Sequence, residues 1–126
     1  MKRAVETGLP SVGRPLEWAT IADGVLYTTQ LPIKPDGSFE TGDIAAQTDL
    51  TLRNLRTTVE AAGGALDDVT QVIVHLPDPQ DFDGMNHVYA RFFRAPYPNR
   101  ATLVSNLVIP GVRVEMIAYA HIAAAK

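Results

Sequence analysis

The sequence contains no cysteine. Disulfides, thiolate zinc sites, iron–sulfur clusters and a cysteine nucleophile are thereby excluded. Positive charge is also scarce: Lys and Arg number 11 against 14 Asp and Glu, a net charge of −3. Proteins that grip nucleic acid through its phosphates use a basic patch to displace counterions, so no nucleic-acid partner is expected. No apolar stretch approaches the ~20 residues that span a bilayer, and no membrane partner is expected. The longest apolar-rich run, Met116 to Ala125, is interrupted by His121. Met1-Lys2-Arg3-Ala4-Val5-Glu6 has basic residues but no apolar core behind them, so it does not read as a signal peptide. The expectation is one cytoplasmic domain over residues 1–126, able to bury roughly two-thirds of its unfolded surface.

What is present reads as alternating strands and helices. Residues 1–15, rich in Gly and Pro, read as an irregular lead-in. Asp23-Gly24 lies between the β-prone runs Leu16–Ala22 and Val25–Leu31. A two-residue Asp-Gly predicts a hairpin, because a type I′ turn needs positive φ at both positions. Pro32 to Gly42 reads as a loop. Ile44, Thr48, Leu52, Leu55, Val59 and Ala62 step by three and four, predicting a helix capped by Asp43 and stopped by Gly63-Gly64. Val69–Leu76 reads as a strand. Asp78-Pro79-Gln80-Asp81 starts a second helix, with an apolar stripe from Phe82 to Phe92 and an end near Phe93. Strands over Arg100–Leu107 and Val112–Ile122 complete the order β-β-α-β-α-β-β. Two helices of this length cannot each form a core alone, so an α+β fold with both on one face of a single sheet is expected.

Alternation then assigns faces. Val112, Val114, Met116, Ala118 and Ala120 should meet the helices, together with Val72, Val74 and Leu76, and with Ala101, Leu103 and Leu107. The far face would carry Ile73, His75, Arg100, Thr102, Val104, Glu115, Ile117 and Tyr119. That mix suits a surface buried against another subunit. An ordinary half-exposed antiparallel sheet is the other reading.

Few groups on that face carry chemistry. Arg100 offers a planar fork that binds a carboxylate bidentately. Glu115 sits in a strand among apolar neighbours, where a carboxylate can hold or pass a proton. Together they suit hydrolysis of a small acid. On neighbouring strands they equally suit a cross-strand ion pair, the commoner outcome. His75 is a candidate hydrogen-bond donor to the same face, whereas His87 and His121 read as surface or packing residues. No metal-binding motif, nucleophile elbow, P-loop or dinucleotide fingerprint is present.

A wider set of residues carries a resemblance. Gln30-Leu31-Pro32, Gly42-Asp43-Ile44-Ala45-Ala46-Gln47, Asn54-Leu55, Glu60-Ala61-Ala62-Gly63 and Asp67-Asp68-Val69 match the early half of one family. Asp81-Phe82, Met85 to Tyr89, Phe92-Phe93, Pro98 to Thr102, Ile109-Pro110-Gly111 and Val114-Glu115-Met116 match the rest. From about Pro15 to Ala120 the chain resembles the Rid (YjgF/UK114) family of reactive-intermediate imine deaminases, also called L-PSP endoribonucleases. The P-x-R pattern followed by a V-E strand is the specific part.

The resemblance implies a chorismate-mutase-like fold, a homotrimer with sites in clefts between subunits, no cofactor, and a small carboxylate as substrate. It implies that Arg100 clamps the substrate carboxylate and that Glu115, the catalytic residue, positions water near the imine carbon. Thr29 and Thr102 would supply backbone N–H groups or wall contacts. The implied reaction is hydrolysis of an imine or enamine acid to a 2-oxo acid and ammonia; binding without turnover is the alternative. RNA cleavage, suggested by the older family name, fits poorly with the acidic balance and the lack of a catalytic histidine pair.

Departures from the family pattern cluster at one place. Where G-P-Y-S-Q-A is common, this chain has Arg14-Pro15-Leu16-Glu17-Trp18-Ala19. Leu16 lacks the family tyrosine's hydroxyl, Thr29 replaces a glycine and Ile117 a second acid. Trp18 is a bulky newcomer beside the expected site, or else simply packs the hairpin. These changes imply an altered substrate preference, with Arg100 and Glu115 both retained.

Overall fold

The computed structural model describes residues 1–123. Ala124 and Ala125, at the end of the apolar run, lie outside them. Eight regular elements follow in order: β1 Arg3–Ala4, β2 Ala19–Ala22, β3 Val25–Gln30, α1 Ile44–Ala61, β4 Val69–Leu76, α2 Phe82–Tyr89, β5 Asn99–Val104 and β6 Glu115–His121. The strands form one six-stranded sheet in the order β1-β2-β3-β6-β4-β5. All pairings are antiparallel except β4 with β5, which is parallel. This is the expected mixed sheet with two helices on one face.

Local chemistry explains most boundaries. Asp23 and Gly24 have φ of 50° and 77°, so the β2–β3 hairpin closes through the primed turn that their sequence predicts. The Asp43 carboxylate accepts from the Ala46 N–H at 2.8 Å and caps α1. Gly63, with φ of 93°, ends that helix in a conformation costly for any side chain. Asp78 caps a 3-10 turn at Pro79–Asp81 that leads into α2.

Three expectations need correction. The lead-in is not wholly irregular: Arg3 and Ala4 pair with Ile21 and Thr20 as a sheet-edge strand, and Val5 is buried. Its two exposed strand residues offer no alternation to read. The second helix stops at Tyr89, not near Phe93, because Arg91 and Phe92 N–H bond three residues back in turns. The strand begun near Arg100 ends at Val104, so Leu107 belongs to the following loop.

The core forms where the helices meet the sheet. Leu52, Leu55 and Val59 of α1 and Met85 of α2 pack on Val72, Val74, Met116 and Ala118. Sequence patterning misses a polar layer inside it. Gln47, Asn54 and Thr58 of α1 are buried, each with a specific partner. The Gln47 amide donates to the Gly42 and Gly111 carbonyls, and its oxygen accepts the Arg113 N–H at 2.7 Å. Asn54 donates to the carbonyls of Leu31 and Ile33. These bonds pin the loop after β3 and the approach to β6 onto α1. Unmade, each would leave a buried polar group unsatisfied.

Arg113 adds a second anchor. Its guanidinium donates to both Asp81 oxygens, at 2.9 and 2.6 Å, tying the approach to β6 to the start of α2. Asp81 is almost fully buried, while Arg113 keeps 41% of its side-chain exposure. Water reaches one partner, so the pair should be weaker than a fully buried one. Asp81→Asn is expected to destabilise the fold by about 1–3 kcal/mol. Urea denaturation checks this; an unchanged midpoint would mean that the pair contributes nothing net.

Candidate active site

The residues singled out by the sequence separate into two groups. Trp18, Thr29 and Glu115 line one cleft of about 570 Å³. Thr29 on β3 pairs with Ile117 on β6, two residues from Glu115, so both side chains share the sheet face away from the helices. Trp18 precedes β2, and its indole N–H donates to the Pro10 carbonyl at 2.8 Å. That bond holds the lead-in segment against the cleft.

Arg100 and Thr102 lie elsewhere. In the parallel β4–β5 ladder Arg100 is level with Val72 and Thr102 with Val74, both buried under the helices. Parallel partners point to the same face, so Arg100 and Thr102 are on the helix side. Ala101 and Leu103, level with Ile73 and His75, emerge on the far face and are exposed. The expected assignment for this strand is therefore inverted. At a sheet edge neither face is closed over the strand, and burial does not select the phase of alternation.

The same geometry removes the cross-strand ion pair. β4 lies between β5 and β6, and Arg100 and Glu115 leave opposite faces. Strand spacings put their Cα atoms about 14 Å apart. Instead, the Arg100 guanidinium carbon sits 4.6 Å from the Tyr89 ring centroid and 6.0 Å from that of Phe82. Among the described residues no carboxylate pairs with it. Stacking orients the guanidinium while leaving its donors free.

Tyr89, beneath Arg100, is buried, and its hydroxyl has no hydrogen-bond partner among the described residues. Burial pushes its pKa up to about 12, against a smaller downward pull from the Arg100 charge. Because the folded value exceeds the unfolded ~10, Tyr89 contributes stability that is fully present below about pH 10. That contribution, about 2–3 kcal/mol, is lost as pH rises towards 12. Tyr89→Phe should flatten the loss of stability between pH 9 and 11.5 in paired urea titrations. Parallel curves for the two proteins would refute this.

His75 is level with Glu115 on the far face, and its Nδ1 lies 3.0 Å from the Ser105 hydroxyl. His87 and His121 are exposed. Among the described residues no group of three or more His, Asp or Glu is placed to hold a metal ion. No described helix is long and apolar enough to cross a membrane. Leu107, expected to face the helices, instead joins Val108 and Ile109 in an apolar loop that meets Leu16 and Phe39 in the cleft wall, a role that the sequence reading did not give them. A run of three large apolar residues in a loop next to Pro-Gly is the signal that it offered.

An antiparallel-rich sheet, two helices on one face and a cleft on the other define a chorismate-mutase-like α+β protein. Comparison with known proteins takes this further. The profile described as Endoribonuclease L-PSP matches residues 10–122, and the chain belongs to that family, the Rid family of the sequence resemblance. A putative endoribonuclease from Thermotoga maritima is similar, with 31% identity, a TM-score of 0.90, and coverage of 98% of this chain and 100% of that one. RidA from an Antarctic Psychrobacter is 29% identical with a TM-score of 0.85, covering 92% and 95%. TdcF from E. coli, solved with bound serine, is 28% identical with a TM-score of 0.86, covering 94% and 98%.

Proposed function

We propose that this protein hydrolyses a small imine or enamine carboxylic acid to the 2-oxo acid and ammonia. The reaction runs in clefts between protomers of a cytoplasmic homotrimer, each protomer a single domain. Arg100 of one protomer holds the substrate carboxylate through its fork, with Thr102 beside it. The neighbouring protomer supplies Glu115, Thr29 and Trp18. An enamine first gains a proton on carbon and becomes the iminium. Glu115 takes a proton from water as the water oxygen bonds to the iminium carbon, giving a tetrahedral carbinolamine. Return of that proton to nitrogen lets the C–N bond break with its electron pair. The hydroxyl proton then passes to the released ammonia, leaving a 2-oxo acid and ammonium. Holding water against the carbon removes part of the entropic barrier.

The observation carrying this reading is the separation itself. Arg100 is an oriented cation on the outermost strand of the sheet, with no carboxylate paired to it among the described residues. Glu115 opens into a cleft on the other face. Each half holds what the other lacks. Tyr27 and Leu103, exposed on the far face, together with Ile73, Ile117 and Tyr119, give that face the apolar character of a subunit contact. A D-amino-acid oxidase generating imino acids in situ supplies the test. Imine decay with the protein no faster than in buffer, for every imino acid offered, would refute the reading.

Serine bound in the structure of TdcF favours a second reading, in which the cleft binds a small 2-oxo or aromatic acid without turning it over. Saturable binding that is lost in Arg100→Ala, with no imine hydrolysis, would select it.

A further inference from the structure

We propose that the ligand selected by this cleft carries a bulky apolar side chain, branched or aromatic, seated against Trp18. The reaction at Glu115 rests on the deaminase reading above; the choice of ligand does not.

The cleft is larger than a small imino acid requires. Its volume of about 570 Å³ falls within the range of pockets that enclose ligands of many atoms. Its walls come from three separate segments: Leu16 and Trp18 before β2, Leu31 and Phe39 in the loop after β3, and Val108 and Ile109 before β6. Arg14 and Glu17, also in the lining, are both exposed and opposite in charge, so they add no net preference for a charged side chain.

Two details make the wall specific. The Trp18 N–H is engaged by the Pro10 carbonyl, so the indole has no free donor to offer and presents only its apolar body. Leu16 and Val108 hold 55% and 96% of their surface in solvent although both border the cleft. A ligand side chain laid across them would remove apolar surface from water on both partners. Thr29 and Glu115, on neighbouring strands, supply the polar end where a reacting carbon would sit. A methyl-bearing imine would leave most of this wall wet, whereas an isobutyl or benzyl group would cover it.

The test uses imino acids made by D-amino-acid oxidase from alanine, leucine and phenylalanine. The isobutyl and benzyl imines should exceed the methyl imine in kcat/KM by at least about tenfold. Leu16→Glu, at an exposed position, and Trp18→Ala should each bring that ratio towards one. Trp18 is the chain's single tryptophan, so its fluorescence reports occupancy directly. 4-Methyl-2-oxopentanoate should saturate the signal at a concentration at least about tenfold below pyruvate. Equal turnover and equal binding across the series would overturn the proposal and leave the deaminase reading standing. Binding preference without any turnover would support the proposal and remove the deaminase reading. A preference for the methyl-bearing ligands in both measurements would overturn the proposal outright.

Discussion

Glu115→Gln should lower imine hydrolysis by about 10²–10⁴-fold, the usual contribution of a positioned general base. Glutamine keeps the size and hydrogen-bonding reach of the side chain but cannot take a proton from water. Within the protomer Glu115 forms no ion pair among the described residues, so no structural salt link is lost. It lies on β6 between Val114 and Met116, both fully buried on the other side, and the backbone ladder to His75 is untouched by the change. The urea midpoint should therefore stay where it is while kcat falls and KM changes little. A variant within about threefold of the parent rate would place the base elsewhere, with His75 the next residue to test.

Mixing two inactive variants should restore activity. Arg100→Ala removes the carboxylate clamp and Glu115→Gln removes the base, so each homo-oligomer is expected to be nearly inactive. When Arg100 and Glu115 reach a shared site from different protomers, a random equal mixture contains some sites with both intact. Each condition is met half the time, so about a quarter of the sites, and of the parent activity, should return. Co-expression, or joint refolding from urea, allows the exchange. The prediction follows from the opposite faces and the roughly 14 Å between the two Cα atoms inside one protomer. A mixture as inactive as its components would mean that the site does not join these two residues across an interface.

Much of the chain was readable in short windows. The hairpin at Asp23-Gly24, the Asp43 cap, the Gly63 stop and the strand at Val69–Leu76 all stand where residue chemistry places them. So does the buried set of Val114, just before β6, and Met116, Ala118 and Ala120 within it. Each depends on neighbours only a few residues apart. Glu115 was likewise legible as a far-face residue, because β6 is closed over by helices on one side and burial sets its phase, whereas Thr29 was marked only by the family resemblance.

The tertiary structure decided the rest. Alternation along β5 has two possible phases, and Ala101 and Leu103 make the wrong one look apolar and inward. Only pairing with β4 settles it, putting Arg100 over Tyr89. That β4 separates β5 from β6 is a matter of strand order, which no local window contains. Gln47, Asn54 and Arg113 look like surface residues in their own segments, yet each also reaches a partner 21 to 66 positions away. The amino-acid order by itself determined the turn at Asp23-Gly24, the bounds of α1 and β4 and the buried faces of β4 and β6, because those depend on short-range sterics and on burial. Which residues stand together across the sheet and around the cleft depended on long-range backbone pairing, whose hydrogen bonds are the same for every side chain and leave no mark on composition.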